Sequence, residues 1–503
     1  MTKIIKSTFC FFFTIVIINS VYCQPGFSTL TQKVKEVENA IFIIYTFDKK
    51  NNPISQGSGF FINSSGIGVT NFHVLSGCST AFVKTKKGEQ FYIETVVDFD
   101  NKSDLVKFKI NNAKGKILPA LNVSIALPKI GESIFNIGNP LGLEQTVSSG
   151  IVSSIREISP YGNLIQITAP ISEGSSGSPV LNLKGEVIGI ATMGYARGQN
   201  LNFAVSALKL RELNKSISCP LGDLNKNPLE TDNYKKALEE YFTGNNLEAI
   251  NLLTKEINLN SGNHLAFALK GQIGIDSEVY ENAIENFFYA IKLDKSNKEY
   301  LNSFGIANAK YGYNLGGDTT SFSTAYNAYS EAIEIDDKYY PAYKNKALLI
   351  YNYLFSTKIS QRIIGKENVY EALKLINKTI EINPVFASAY RLRGEIKNKL
   401  NDSWAALADI DKAIELDNSD YENYFFRGEL KCFGLKDYSN SIHDLNMAFD
   451  LAIKNNAKAD IVAMRSIVNS LSGSKAKACE DARKAYDLGK SQFYLELLNR
   501  LCK

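Results

Sequence analysis

The residues that best fit catalytic chemistry begin with a serine in a glycine-rich loop. Ser176 lies within residues 174–179, which read GSSGSP. A nucleophilic serine needs an exposed hydroxyl, and the flanking glycines let the backbone turn sharply and leave room for a substrate. A flexible glycine and serine loop without any function has the same composition. The loop therefore indicates chemistry only if a base can reach Ser176.

A base for this serine is available at one position. His73, in the segment TNFHVL of residues 70–75, is the only histidine among the first 263 residues. An imidazole can take the proton of a serine hydroxyl as that hydroxyl attacks a carbonyl carbon. If an imidazole of the same domain activates Ser176, it belongs to His73. The alternative is a core or surface histidine without a chemical role.

A carboxylate should orient the imidazole, and three aspartates are candidates. Residues 105–110, LVKFKI, alternate apolar and basic side chains with the period of two of a half-buried strand. Asp104 begins that strand, which would hold its carboxylate at a protected rim. We expect Asp98 and Asp100 in the preceding loop as solvated turn residues. The predicted catalytic residues are therefore His73, Asp104 and Ser176.

The elements that must position these residues are short strands. From about residue 40 to residue 207, β-rich runs alternate with Gly, Asn and Ser. The clearest runs are residues 40–47, 57–62, 91–97, 105–110, 133–137, 164–169 and 186–192. Many short strands with few helices predict an all-β barrel or sandwich.

A helical repeat follows a polar linker at residues 214–231. Each copy of the repeat has a small residue, a second small residue seven positions later, then an apolar residue and soon an Asp or Asn. The first small residues of the copies are Ala249, Ala283, Ala325, Ala372, Ala406, Ser441 and Ala478. Without two loop insertions the period is about 34 residues, which resembles the tetratricopeptide repeat. About seven copies in residues 232–503 would stack into an all-α superhelix whose concave face recruits a protein or peptide partner.

The β-rich part resembles the HtrA/Deg branch of the trypsin-like serine peptidases. The matching blocks, in chain order, are TNxHV, DLV, IGNPLG, LEQTVSSGIVS, GxSGxP and KGEVIGI, within residues 70–190. The resemblance covers about residues 34–207. It implies a peptidase domain at residues 27–213, built of two perpendicular β-barrels with the catalytic residues in the cleft between them.

The same resemblance implies roles for further residues. Gly174 and Ser176 would supply the N–H groups of the oxyanion hole, and Thr192 would support the catalytic aspartate. The substrate pocket would have Pro170 at its base, with Met193 and Phe203 near its walls. Because no acidic side chain stands at the base, a small or medium apolar residue is expected before the scissile bond.

Three departures from the family pattern are visible. Ser175 stands before the nucleophile where the family usually has Asn, and Ser178 replaces a Gly after it. Both side chains are small, so the loop geometry should stay open. The repeats also take the place of the usual PDZ domain, which puts family-style regulation and cage assembly in question.

The N-terminus predicts export. Two lysines precede an apolar run at residues 8–18 and a short stretch that ends near Cys23, the order of a cleavable signal peptide at residues 1–23. The run is shorter than the roughly 20 residues that span a bilayer. A retained anchor, or a lipoprotein attached through Cys23, is the alternative. We expect a periplasmic or extracellular protein without a stable membrane span once the signal is removed.

The last two cysteines are candidates for a disulfide. Cys479 and Cys502 lie nearly equidistant from Gly489, the turn between two predicted helices. Such a hairpin would bring the thiols together, and the closed loop would add about 3 kcal/mol of stability. Two unpaired thiols are the alternative. The sequence contains no C-x-x-C or clustered histidines, so no metal or cofactor is expected.

The composition narrows the class of function. The chain has 45% hydrophobic and 21% charged residues and a net charge of +4, which fits a folded soluble protein. No dense basic segment is present, so nucleic acid is excluded as a partner. The predicted function is a serine endopeptidase whose repeats recruit substrates or partners. The alternatives are a catalytically silent scaffold or chaperone-like binder, and a non-proteolytic β-rich binding module.

Overall fold

Two closed six-stranded barrels form the N-terminal part of the chain. The computed structural model describes residues 30–112, 115–139, 146–158, 162–172, 174–194, 202–213, 218–224, 229, 231–356 and 366–502. The first barrel has the strand order β1-β2-β3-β6-β5-β4. Its strands are β1 (Ile41–Phe47), β2 (Pro53–Phe61), β3 (Ile67–Asn71), β4 (Thr80–Thr85), β5 (Gln90–Asp100) and β6 (Leu105–Ile110).

The second barrel has the order β10-β11-β12-β9-β8-β7, and every strand pair in both barrels is antiparallel. Its strands are β7 (Ser133–Gly138), β8 (Thr146–Ile158), β9 (Gly162–Ile167), β10 (Pro179–Asn182), β11 (Val187–Gly194) and β12 (Asn202–Ser206). A separate cluster of buried apolar side chains fills each barrel. The prediction of an all-β double barrel followed by an all-α region is confirmed.

Three short helices accompany the barrels, and from Asp232 onward the secondary structure of the described residues is helical. The short ones are α1 (Leu30–Val37), α2 (Phe72–Leu75) and α3 (Lys209–Glu212). The helical region is α4 (Asp232–Phe242), α5 (Asn246–Leu259), α6 (His264–Asp276), α7 (Tyr280–Leu293), α8 (Lys298–Asn314), α9 (Thr319–Ile335), α10 (Tyr340–Ser356), α11 (Lys366–Ile382), α12 (Ala387–Lys399), α13 (Ser403–Leu416), α14 (Tyr421–Phe433), α15 (Tyr438–Leu451), α16 (Asn455–Leu471), α17 (Lys475–Gly489) and α18 (Gln492–Leu501). These are seven helix pairs and one final helix. Their identity as tetratricopeptide repeats stays a prediction.

The repeated small residues lie where paired helices approach closely. Ala283 and Ala290 on α7 are fully buried, and a Cβ added at Gly274 on α6 would lie 3.0 Å from the backbone nitrogen of Ala283. In three copies the Asp that follows is the residue at which the helix ends, namely Asp294, Asp336 and Asp417. The repeated sequence pattern therefore marks a close contact between paired helices and the end of a helix.

Hydrogen bonds of three arginines join consecutive helix pairs in the C-terminal half. Each of three arginines makes two hydrogen bonds to an aspartate in the second helix of its own pair and one to a side chain in the preceding pair. The arginine–aspartate pairs are Arg393–Asp409, Arg427–Asp444 and Arg465–Asp481. The contacts to the preceding pair go to Asn377, Asp411 and Asn446. The bidentate bonds fix distance and orientation within each helix pair, and the single bonds link that pair to the preceding one.

The helical region packs directly on the second barrel. The ring of Phe203 on β12 lies 4.2 Å from that of Phe242 on α4, centroid to centroid, and one hydrophobic core continues from the barrel into α4, α5 and α6. Lys209 in α3 bonds Glu212 at 3.0 Å and Glu299 on α8 at 3.1 Å. Burial acts to lower the pKa of Lys209, but the two carboxylates outweigh burial and raise that pKa, so its ammonium stays charged.

The segment between barrels and repeats is partly built into the first barrel. Cys219 pairs with Val96 of β5 in an isolated bridge, and Leu224 is fully buried in the core of that barrel. The carbonyl oxygen of Leu224 accepts a hydrogen bond from the Gly77 N–H at 2.7 Å. The expected polar linker therefore contains an ordered strap at residues 218–224, beside the end of helix α2.

The chain ends in a covalently closed hairpin. Cys479 on α17 and Cys502 after α18 form a disulfide with a Cα–Cα distance of 4.8 Å. The predicted signal peptide at residues 1–23, with Cys23, lies outside the described residues and stays a prediction. Within the described part of the chain, no helix is both long and apolar enough to cross a membrane.

Candidate active site

Helix α2 presents His73 at the surface between the barrels. The other three residues of this helix, Phe72, Val74 and Leu75, are buried in the first barrel. The apolar side chains anchor the short helix, which leaves the imidazole of His73 46% exposed. The position of this imidazole is therefore set by the packing of its neighbours.

The carboxylate of Asp104 accepts three hydrogen bonds. Its Oδ2 lies 2.8 Å from His73 Nδ1 and accepts from Thr192 Oγ1 at 2.6 Å, and its Oδ1 accepts from the backbone N–H of His73 at 2.9 Å. The carboxylate is only 12% exposed. A carboxylate oxygen accepts hydrogen bonds, so this contact favours the tautomer of His73 that carries its proton on Nδ1.

Asp104 is held in an unusual backbone conformation. Its φ of +56° lies in the left-handed region, which side chains other than Gly rarely adopt. The Asp104 carbonyl oxygen accepts from the N–H of Phe72 and from Asn71 Nδ2, each at 3.0 Å. Asn71 is fully buried. These contacts tie the strained residue to the end of β3, next to His73.

The other two aspartates lie elsewhere than expected. Asp98 and Asp100 belong to strand β5, and the expectation that both are solvated loop residues is wrong. Asp98 is 1% exposed, and Asp100 accepts hydrogen bonds from the N–H of Lys102 and from Ser103 Oγ. Strand β5 extends to Asp100 because it pairs with β6 up to Leu105, so only the four-residue turn 101–104, which ends in Asp104, separates the two strands.

The loop of Ser176 reaches across from the second barrel. Gly174 and Gly177 have φ of +89° and +86°, which an L-residue with a side chain rarely adopts. A Cβ at Gly57 would meet both Val74 at 2.7 Å and the carbonyl oxygen of Ser176 at 3.3 Å. Gly57 therefore lets the Ser176 backbone come close to helix α2, which carries His73.

Two backbone N–H groups of this loop lack a backbone acceptor. Among the described residues, neither the N–H of Gly174 nor that of Ser176 donates to a backbone carbonyl oxygen. The loop therefore offers two N–H donors close in sequence to the hydroxyl of Ser176.

The predicted pocket residues have different surroundings in the structure. Pro170 is exposed, and its carbonyl oxygen accepts from Ser148 Oγ at 2.9 Å. The backbone of Met193 pairs with that of Phe203, and the side chain of Met193 lies outside the described part. The side chain of Phe203 is fully buried against Phe242, in the core shared with the repeats.

The wall assignment of Phe203 therefore needs correction. Adjacent residues of a strand face opposite sides, and Ala204 already points into the second barrel. Phe203 consequently faces the helical region. The next side chain along β12, Asn202, accepts a hydrogen bond from the N–H of Ile171, beside Pro170.

Several polar residues of the site were not identified from the sequence. They are Ser58, Asn71, Asn139 and Asn202, which are all buried. Ser58, Asn71 and Asn202 bond to the backbone of the catalytic segments or of the neighbouring pocket segment, and Asn139 bonds to the hydroxyl of Ser58. The only signal in the sequence is a polar residue within or next to an apolar strand. That signal marks burial without naming a partner.

Comparison with known proteins agrees with this geometry. Residues 57–190 match the family model of the trypsin-like peptidase domain. This segment runs from β2 to β11 and contains His73, Asp104 and Ser176.

The individual relatives are serine proteases. The chain is 38% identical over 178 residues to serine protease HTRA3 of Mus musculus, covering 33% of this chain and 38% of that protein. It is 40% identical over 143 residues to a probable periplasmic serine endoprotease, DegP-like, of Brucella suis, covering 28% of each. A serine endoprotease of Yersinia pestis with a crystal structure is 29% identical, covering 37% of this chain and 64% of that one, with a TM-score of 0.33. The chain spans between 28% and 38% of the length of these curated relatives.

Proposed function

We propose that this protein is a serine endopeptidase with His73, Asp104 and Ser176 as its catalytic triad. The observation that carries the proposal is the set of three hydrogen bonds that orient the Asp104 carboxylate on His73. A histidine held this way has one tautomer and one ring orientation, which general-base catalysis requires. The serine protease names of the relatives support the same reaction class.

The reaction follows from the roles of these groups. Nε2 of His73 takes the proton of Ser176 Oγ while this oxygen forms a bond to the scissile carbonyl carbon. The N–H groups of Gly174 and Ser176 stabilise the oxyanion, and Asp104 stabilises the imidazolium. Collapse of the intermediate breaks the C–N bond, and the proton passes from His73 to the leaving amine. A water molecule then hydrolyses the acyl-enzyme by the same steps in reverse order.

The residue preferred before the scissile bond is small or medium-sized and apolar. Pro170 stands at the base of the proposed pocket, where it has no charge for a lysine or arginine side chain. The nearby amide of Asn202 is engaged by the N–H of Ile171 at 3.3 Å. Consistent cleavage after Lys or Arg in a peptide-library digest would refute this specificity.

The repeats hold a polypeptide partner or substrate near the peptidase domain, and the protein acts after export. The direct packing of α4 on β12 supports a functional link between the two regions. The charged N-terminus with its apolar run supports export, as does the periplasmic name of the Brucella suis relative. The domains are a signal peptide at residues 1–23, a peptidase at 27–213, a connection at 214–231 and repeats at 232–503.

A serine-directed fluorophosphonate probe tests the proposed chemistry. Wild type should be labelled and should digest casein, and Ser176→Ala should do neither. Ser172→Ala is the matched control, because Ser172 is an exposed serine of the same loop. Labelling of Ser176→Ala would show that another residue reacts. Absence of labelling in folded wild type would favour a silent scaffold.

A further inference from the structure

One buried serine of the first barrel contacts the loop that carries Ser176. Ser58 on β2 is fully buried. Its backbone N–H donates to the carbonyl oxygen of Ser176 at 2.8 Å. Its hydroxyl donates to the carbonyl oxygen of Gly174, also at 2.8 Å. A single residue therefore holds the loop on both sides of the nucleophile.

The hydroxyl of Ser58 has a fully assigned set of partners. A hydroxyl carries one proton to donate and two lone pairs to accept with. Ser58 Oγ accepts from the backbone N–H of Asn139 at 3.0 Å and from its Nδ2 at 3.2 Å. Both acceptor positions are thereby filled, and the one proton points at Gly174. Asn139 follows β7, so the network links the first barrel to the second.

The backbone of Ser58 is also fixed. Its carbonyl oxygen accepts from Thr70 Oγ1 at 2.7 Å, and Thr70 is fully buried near the end of β3. The position of the hydroxyl is therefore tied to the strand that leads into helix α2 and His73.

The geometry of the loop gives these bonds a consequence for chemistry. Each peptide unit is planar, so a held carbonyl oxygen fixes the N–H of the same plane. Ser58 holds the carbonyl oxygens of the peptide units 174–175 and 176–177. The N–H of Ser176 belongs to the peptide unit between these two. The N–H of Gly174 belongs to the peptide unit directly before the first of them. Gly174 has a φ of +89°, and a glycine can rotate its peptide at little cost unless a contact prevents it.

We propose that Ser58 is a positioning residue of the oxyanion hole, whose hydroxyl keeps the Gly174 and Ser176 N–H groups directed at the reacting carbonyl. This role rests on the proposed peptidase function. It acts through the loop backbone, and Ser58 itself does not touch the substrate. Transition-state stabilisation should depend on the hydroxyl more than substrate binding does.

Ser58→Ala removes the hydroxyl and keeps the backbone bond to Ser176. We expect kcat per titrated active site to fall roughly 10- to 100-fold, less than the loss of roughly 100- to 1,000-fold on removing an oxyanion donor. KM should change less than about threefold. Inhibition by a peptide aldehyde, which forms an oxyanion on addition of Ser176, should weaken by a factor similar to that in kcat. The pH profile of kcat should not move, because the pair of His73 and Asp104 is untouched.

Controls separate this role from simple packing. Ser55→Ala, at an exposed position of the same strand, should leave all readouts unchanged. Ser58→Cys replaces the hydroxyl by a somewhat larger thiol that is only a weak donor, so its kcat should lie between those of wild type and Ser58→Ala. This variant also serves if Ser58→Ala does not fold.

The outcomes distinguish the two proposals. If wild type is folded but neither labelled nor active, the peptidase function fails and the role of Ser58 fails with it. If wild type is active and Ser58→Ala keeps its kcat within twofold, only the role of Ser58 is overturned. The role of Ser58 would also be overturned if the loss of activity were explained wholly by fewer titratable active sites, or if KM rose by the same factor by which kcat fell.

Discussion

Replacing Phe242 by alanine should separate the stability of the helical region from that of the barrels. Phe242 ends helix α4 and is 3% exposed, and its ring lies 4.2 Å from that of Phe203 on β12. Both side chains belong to the core that continues from the second barrel into the first helices. The substitution removes an aromatic contact between the two regions without changing a charge.

The expected cost follows from burial and from the ring contact. A buried Phe→Ala change costs about 3–5 kcal/mol through lost transfer free energy and the remaining cavity. An aromatic pair contributes about 0.5–1.5 kcal/mol beyond its buried area. We therefore expect a loss near the upper end, about 4–5 kcal/mol. Phe288→Ala on α7 is the matched control, because this ring is 54% exposed and should cost about 1 kcal/mol or less.

Guanidinium unfolding followed by two probes measures the effect. Trp404, the only tryptophan, lies on α13 and reports on the helical region. Labelling by a fluorophosphonate reports on the barrels. The two transitions should coincide in wild type, and Phe242→Ala should shift and separate them. The reasoning would be refuted if Phe242→Ala and Phe288→Ala had equal free energies of unfolding. It would also be refuted if the transitions seen by the two probes coincided in both variants.

Three further predictions concern single sites. Gly177→Ala should abolish activity and cost at least about 2 kcal/mol of stability, because its Cβ would lie 2.2 Å from the Ser58 carbonyl oxygen at a φ of +86°; unfolding like that of wild type would contradict this. Lys102, two residues before Asp104, pairs with Asp294 at 2.5 Å. Reversing either charge should lower the free energy of unfolding by about 0.5–1 kcal/mol, and the double reversal should restore it. Equal unfolding of all three variants would show that the pair contributes nothing. Burial raises the pKa of Glu395 from 4.5 to about 8. The stability that Glu395 contributes is therefore fully present below pH 4.5 and is lost as pH rises to about 8. Glu395→Gln should make the free energy of unfolding depend less on pH over this window. An unchanged slope of the urea midpoint against pH would exclude Glu395 as the source.

Local patterns explain why much of the architecture could be predicted. Period-two alternation in residues 105–110 matches strand β6 residue for residue, because one face of that strand is buried and the other is not. The recurring small residues predicted helix pairs, since close packing requires them. The prediction of a double barrel followed by helices, and the resemblance to HtrA/Deg peptidases, are both confirmed.

The sequence-based predictions were wrong where the length of a strand or the direction of a side chain depends on residues distant in the chain. Asp98 and Asp100 were placed in a loop, but pairing with β6 extends β5 through both of them. Phe203 was assigned to a pocket, but a helix some 40 residues later covers its face of β12. Neither partner is visible in the local pattern.

The sequence by itself determined the types of chemical groups and the elements that carry them: one histidine, one nucleophile loop and one strand led by Asp104. The tertiary structure alone decided how these groups are held. The contacts of Asp104 with Thr192, of Ser58 with Gly174, and of Phe203 with Phe242 each join residues far apart in the chain. A hydrogen bond or ring contact depends on distances of a few ångströms, and only the packed fold sets those distances.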